Sequence, residues 1–250
     1  MPHLSIGVEA SGRTALRALR LLLVPVACRI CGQVFPASGG GPVCPGCWAR
    51  VAPLSGGSCR RCGRPLPEAE RPTVRCVECR GPKPFHRARS LGLYSGELRE
   101  LLQLFKFGGA EAIGVRLGRA LGAALQAEPE YARAELVVWV PLHWRRRHQR
   151  GFDQAEVIAR ELARSLGVRL GRSVLRRTRH TAAQSALSAG ERRRNLRGAF
   201  GARPRRLRGA RRVILVDDVW TTGSTLMECA RTLRRAGARY VYLATIARVL

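Results

Sequence analysis

Apolar positions along this chain recur with two different periods. Leu98, Leu101, Leu102 and Phe105 fall at helical spacing within 95–107, and residues 110–126 continue as a second helix. ELVVWVPL is an unbroken apolar run that reads as a buried strand ending at Pro141, and FDQAEVIARELARSL sets Ala155, Ile158, Ala159 and Leu162 on one face of the following helix. A short strand is expected near 174–178, a helix at 188–196 and an edge strand around 199–202. VILVDDV then reads as another buried strand, GSTLMECARTLRRAG as its helix closed by Gly237, and RYVYLATIARV as the last strand. Strands that alternate with helices predict an α/β fold, a parallel sheet covered on both faces, with ligands gathering at the carboxyl ends of its strands.

The 250 residues suffice for one α/β core and a smaller module. Three parts are expected: a helical lead over 1–27, a cysteine-rich module over 28–80, and the α/β domain over 90–250. RGPKPFHRARSLGL, at 80–93, has the proline and charge of a linker between the last two. No apolar run approaches the ~20 residues of a bilayer span. LRALRLLLVPVAC has the look of a basic export signal, but Pro25 interrupts its apolar stretch and Cys28 already begins a metal-type motif, so a cytoplasmic protein is expected.

The formal net charge is +28, and Lys83 and Lys106 are the only lysines, so arginine carries nearly all of it. Arginine's planar fork suits phosphate, and a basic surface attracts polyanions. A general compositional bias that merely solvates the surface accounts for the arginines equally well.

Eight of the nine cysteines stand in four CxxC pairs: Cys28 and Cys31, Cys44 and Cys47, Cys59 and Cys62, Cys76 and Cys79. Two thiolates so spaced grip one face of a tetrahedral zinc, and a second pair after 12 or 13 intervening residues closes the site. CRICGQVFP and CRRCGRPLP share Cys, Arg, Cys, Gly and Pro at the same offsets, which predicts two sequential four-cysteine ribbons, each with one structural zinc. Disulfides are the alternative, disfavoured in a reducing compartment. Four thiolates leave no coordination position for a catalytic water. Glycine after Cys31 and Cys62 lets the backbone fold back sharply around the metal, and Cys229 reads as a small buried side chain.

Asp217 and Asp218 are two of only three aspartates, the third being Asp153. They end an apolar strand and precede TTGST and a helix. Amides of such a turn converge on an anion, with hydroxyls of Thr221, Thr222, Ser224 and Thr225 as further donors, while a carboxylate pair accepts hydrogen bonds from vicinal hydroxyls. A sugar phosphate satisfies both. The alternative is a helix cap by Asp218 or Thr221, although a cap needs one side chain and six polar ones stand here. No GxxxxGK[ST] is present, so a P-loop ATPase is excluded.

VILVDDVWTTGST resembles the phosphoribosyl pyrophosphate motif of type I phosphoribosyltransferases. With the double cysteine ribbon, YSGELRELLQLFKFGG, PLHWRRRHQRGFDQ and RRTRHTAAQSALSAGERRRNLRGAF, the chain from Cys28 to Leu250 resembles the ComF family of competence-associated proteins. The resemblance implies a phosphoribosyltransferase-like sheet flanked by helices behind a double zinc ribbon. It implies that Asp217 and Asp218 hold ribose hydroxyls and that Thr221, Thr222, Gly223, Ser224 and Thr225 cradle the 5′-phosphate. The loop after Val140 then faces pyrophosphate with its Mg2+, one or two of Arg145, Arg146, Arg147 and Arg150 making contact, and the stretch from Arg179 to Asn195, with Thr181, Gln184 and Arg192, closes on substrate. His143, His148 and His180 lie near that site without an assigned role.

Two departures stand out. Asp153 replaces the family's usual asparagine and, with Glu156 following, has the form of a helix cap. Thr221 stands where purine-salvage relatives carry an aspartate, which argues against a purine acceptor. The implied functions are pentosyl transfer from phosphoribosyl pyrophosphate to an acceptor the sequence does not name, linked to DNA uptake, or a non-catalytic adaptor for single-stranded DNA or competence partners.

Overall fold

The computed structural model describes residues 25–36, 41–51, 53–54, 57–67, 75–142, 152–179 and 195–250. The chain divides into two compact units, residues 1–51 and 52–250. In the first, strands β1 (Pro25–Ala27) and β2 (Val34–Pro36) pair antiparallel and are followed by the short helix α1 (Pro45–Ala49).

In the second unit the chain runs through β3 (Arg87–Leu93), α2 (Gly96–Phe107), α3 (Glu111–Gln126), α4 (Pro129–Ala132), β4 (Leu136–Trp139) and α5 (Gln154–Leu166). It continues with β5 (Arg169–Leu170), β6 (Leu175–Arg177), β7 (Phe200–Ala202), α6 (Pro204–Leu207), β8 (Arg212–Trp220), α7 (Ser224–Arg235) and β9 (Tyr240–Arg248). Five strands form one parallel sheet in the order β3-β9-β8-β4-β5, and β6 pairs antiparallel with β7 beside it. The α/β expectation therefore holds. The helix expected at 188–196 falls largely outside the described residues.

The sheet is apolar on both faces because alternate residues of each strand point opposite ways. Leu136, Val138, Val213, Leu215, Val241 and Leu243 share a core with Leu226, Cys229, Ala230 and Leu233 of α7. Val137, Ile214 and Val216, equally buried, face the other way. There α3 and α5 pack closely at Gly118 and Gly122, where a Cβ would lie 2.8 Å from Glu161 Cβ and 2.4 Å from Ser165 Cβ respectively, while Gly114 makes room for the Phe105 ring of α2. Each fully buried Val, Leu or Ile contributes roughly 1.5–3 kcal/mol.

The segment 80–93, expected as a linker, is in fact half strand: β3 is an edge of the sheet, in parallel register with β9. Its arginines disguised it. Arg87 and Arg89 meet Glu128 at 2.9 and 2.8 Å, Arg87 also pairs with Glu130, and Ser90 shares a 2.7 Å hydrogen bond with Thr245. Paired charge lets a strand carry arginine where periodicity alone reads solvent.

Candidate metal-binding and sugar-phosphate sites

Each cysteine group gathers within its own ribbon, Cys28, Cys31, Cys44 and Cys47 in one and Cys59, Cys62, Cys76 and Cys79 in the other. Sulfur separations of 3.8 Å for Cys28 and Cys47, 3.7 Å for Cys31 and Cys44, and 3.7 Å for Cys62 and Cys76 are far too long for disulfides. They match the edge, about 3.8 Å, of a tetrahedron whose corners lie ~2.3 Å from a central Zn2+. The two ribbons repeat in backbone detail: the amides of Gly32 and Gly63 donate to the carbonyls of Cys28 and Cys59, each at 2.8 Å. Both glycines have positive φ, +74° and +68°, as the sharp knuckle demands. The second knuckles need no glycine, because Trp48 lies in α1 and Arg80 follows the 3-10 turn Val77–Cys79 with ordinary right-handed backbone. Cys62 is pushed down to about 4, first by a hydrogen bond from the Cys79 thiol, whereas Cys76 is pushed up to about 11, first by burial, and Cys79 is pushed up by its hydrogen bond to Cys62; the thiolate is the form that ligates metal, so binding a cation displaces protons from the latter two.

The second cysteine group belongs to the same core as the sheet. Ala88 N donates to Arg61 O at 2.7 Å, and the Arg61 guanidinium donates to the carbonyls of Gly81 at 3.1 Å and Phe85 at 3.2 Å. A Cβ at Gly63 would lie 2.9 Å from Ala88 O, so the knuckle rests directly on β3.

Asp217 and Asp218 sit near the carboxyl end of β8, the strand between β9 and β4. Adjacent strand residues point to opposite sides. Asp218 Oδ2 meets Lys106 Nζ of α2 at 2.9 Å, while Asp217 lies on the side of α7, close enough to Cys229 that its charge, after burial, helps push that thiol up. Asp217 Oδ1 accepts from the Asp218 amide at 2.9 Å and Asp218 Oδ1 from the Val219 amide at 2.6 Å. Burial pushes the Asp217 carboxyl well above its usual value, and Asp218 adds to this; the Asp218 amide and then Lys106 oppose it, and Asp153 raises it slightly further. All three aspartates of the chain thus converge on one end of the sheet.

Asp153 caps α5: its Oδ1 accepts from Ala155 N at 3.1 Å and Glu156 N at 3.4 Å. Its other oxygen accepts from Leu142 N at 3.1 Å, so one buried carboxylate pins both flanks of residues 143–151. Arg145, Arg146, Arg147, Arg150, His143 and His148 fall within that stretch and lie outside the described residues, as do His180, Thr181, Gln184 and Arg192. Asn195 is described, half-buried, with no hydrogen-bond partner for Nδ2 among the described residues.

The turn after β8 is shaped by Gly223, the N-cap of α7, whose φ is +72°. A glycine there offers no side chain to close the first turn, and the Asp218 carboxylate is engaged by Val219 and Lys106, so Asp218 is not the cap. Thr222 and Ser224 share a 3.1 Å hydrogen bond, and Thr221 is exposed. A cavity of about 570 Å³ opens beside this turn, lined by Thr222, Ser224, Lys83, Arg197, Arg231 and Arg235 together with Cys62, Cys79 and Trp220. Thr222, Ser224 and two cysteines of the second group, Cys62 and Cys79, line it, whereas Asp217 and Asp218 do not.

Lys106 is the site residue that sequence pattern missed. It lies within YSGELRELLQLFKFGG, and its signal was scarcity: one of two lysines in an arginine-rich chain, on a helix whose apolar face is Leu98, Leu101, Leu102 and Phe105.

No described helix is long and apolar enough to cross a membrane. The family described as Double zinc ribbon domain matches residues 18–82, and the family described as Phosphoribosyl transferase domain matches residues 153–250. The chain is 35% identical to the DNA utilization protein YhgH of Escherichia coli O6:H1 over 92% of its own length and all of that protein. It is 33% identical to Competence protein F of Haemophilus influenzae, covering 82% of this chain and 90% of the relative, and 29% identical to Competence protein ComFC of Bacillus subtilis, covering 78% and 79%. A double zinc ribbon followed by a phosphoribosyltransferase-type parallel sheet, in a chain similar to these proteins over 78–92% of its length, makes it a member of the ComF family.

Proposed function

We propose that this protein binds phosphoribosyl pyrophosphate with Mg2+, at the carboxyl end of β8, and serves a pathway of DNA uptake or use. The observation that carries the reading is the juxtaposition of three aspartates and Lys106 with a glycine-turned, hydroxyl-bearing helix start immediately downstream. Ser224, Thr222 and the first amides of α7 suit the 5′-phosphate, and the acidic pair suits the ribose hydroxyls. Mg2+ accompanies the pyrophosphate as its counterion, and carboxylate oxygens of Asp217 and Asp218 are donors of the class it takes. Arg145, Arg146 and Arg150 are the residues proposed to meet the pyrophosphate. In a transfer reaction pyrophosphate leaves ribose C1 with the bonding electron pair, and an acceptor nitrogen forms the new bond.

Calorimetric titration with phosphoribosyl pyrophosphate and Mg2+ tests this reading. Saturable binding that Asp217→Asn and Asp218→Asn each weaken by tenfold or more supports it. Absence of binding, or binding indifferent to both changes, rejects it.

The relatives' names and the net charge of +28 favour a second role, a polyanion-binding adaptor for single-stranded DNA or other competence proteins. Phosphate contacts predict an affinity that falls steeply with salt. Negligible binding of a single-stranded oligonucleotide at low salt removes that role.

A further inference from the structure

Arg248, the last residue of β9, is 3% exposed, a depth at which arginine is rare without a carboxylate. Among the described residues no carboxylate pairs with it, and its Nε has no hydrogen-bond partner. Its contacts lead in two directions. Nη1 donates to the carbonyl of Cys62 at 2.7 Å, and the guanidinium carbon lies 4.9 Å from the centre of the Trp220 ring. Trp220 is its cross-strand partner on β8, held by Val249 N donating to Trp220 O at 2.9 Å. The indole in turn lies against the phosphate turn: a Cβ on Gly223 would fall 2.6 Å from Trp220 Nε1. Phe85, which leads into β3, meets the same indole edge-on at 5.7 Å.

A buried guanidinium needs compensating negative charge, and a cation–π contact compensates only part of it. The four thiolates of Cys59, Cys62, Cys76 and Cys79 around a Zn2+ leave a net negative charge of about two, centred on the group whose carbonyl Arg248 holds. We propose that Arg248 is the outer partner of the second zinc site and a positioning residue for the phosphate turn. It balances the tetrathiolate charge on one side and, through Trp220, sets the floor beneath Gly223 on the other. Metal occupancy of the second ribbon and anion binding at the turn are then reciprocally coupled, each strengthening the other by the same factor. The first ribbon takes no part. The coupling rests on the sugar-phosphate reading above; the charge partnership does not.

The test is zinc release from the full-length zinc-loaded protein to a chromogenic chelator. Two phases are expected, one per ribbon. Arg248→Met accelerates one phase by tenfold or more and leaves the other unchanged, and Arg248→Lys, which keeps the charge, restores much of the loss. Saturating ribose 5-phosphate slows that same phase in the unmodified protein. Trp220→Leu abolishes this protection while Arg248 still retains the metal, a split that general destabilisation does not produce. Equal acceleration of both phases by Arg248→Met, or of neither, overturns the partnership. Ribose 5-phosphate that binds by calorimetry without slowing zinc loss overturns the coupling. Failure of ribose 5-phosphate and phosphoribosyl pyrophosphate to bind at all removes the sugar-phosphate reading and the coupling together, with the Arg248 partnership still decided by the release phases.

Discussion

Replacing Lys106 with methionine removes the cation from the acidic site while keeping a side chain of similar reach on α2. Lys106 Nζ and Asp218 Oδ2 are 2.9 Å apart, each side chain 18% exposed. At an effective dielectric of about 20 the attraction at that distance is roughly 6 kcal/mol. Desolvation of the two ions cancels much of it, and the residual solvent contact screens more, so the expected net loss in Lys106→Met is about 2–3 kcal/mol, somewhat below the 3–5 kcal/mol typical of a wholly buried broken pair. The pH dependence is the sharper signature. Asp217 already titrates above its ordinary value through burial and then Asp218, and Lys106 restrains the shift. A carboxyl whose folded pKa is raised leaves stability intact below its unfolded value, about 4, and costs stability as pH rises from there through the folded value. Without Lys106 that shift grows, so the deficit of Lys106→Met is smallest near pH 4 and largest at neutral pH. Urea unfolding of both proteins at pH ~4.5 and pH ~7.5 measures it. Midpoints that coincide at both pH values, or a deficit that shrinks toward neutral pH, refute the reasoning.

Other expectations follow from the same geometry. Gly223→Ala places a methyl group against Trp220 Nε1 at a φ of +72°; strain and overpacking together cost about 2–4 kcal/mol in urea melts, and ribose 5-phosphate affinity falls at least tenfold by calorimetry. Asp217→Asn removes a carboxylate that is costly to ionise, so it raises stability on the order of 1 kcal/mol at neutral pH, with the gain vanishing near pH ~4, while phosphoribosyl pyrophosphate binding is lost; an unchanged melting temperature at neutral pH contradicts the burial argument. Metal analysis of purified protein finds two zinc per chain, dropping to one in Cys59→Ser and in Cys31→Ser. Cys59→Ser also lowers the unfolding midpoint of the α/β unit, because Cys59 shares a core with Val213, Leu215 and Leu233.

Much of this protein was decided within short segments. The CxxC spacing and the repeated CRICG and CRRCG determine two four-cysteine metal sites, because all ligands of a ribbon lie within about 20 residues and the backbone turns that hold them are local. Gly223 and the apolar run before Asp217 likewise announce a strand, a tight turn and a helix start. Asp153 reads as a cap from its immediate neighbours, and the structure agrees. Long-range pairing decided the rest. β3 emerges only once Glu128 and Glu130 neutralise its arginines, so charge hid a strand from any reading based on periodicity. Lys106 reaches Asp218 from α2, across more than 100 residues of sequence, and Asp153 ties Leu142 to the start of α5 as well as capping that helix. Arg248 meets the carbonyl of Cys62 across 186 residues of sequence, a pairing that only the fold makes. The sequence names side chains by type and spacing; which charges meet in a low-dielectric interior, where a partner changes their energy most, is set by how the sheet brings its strand ends together.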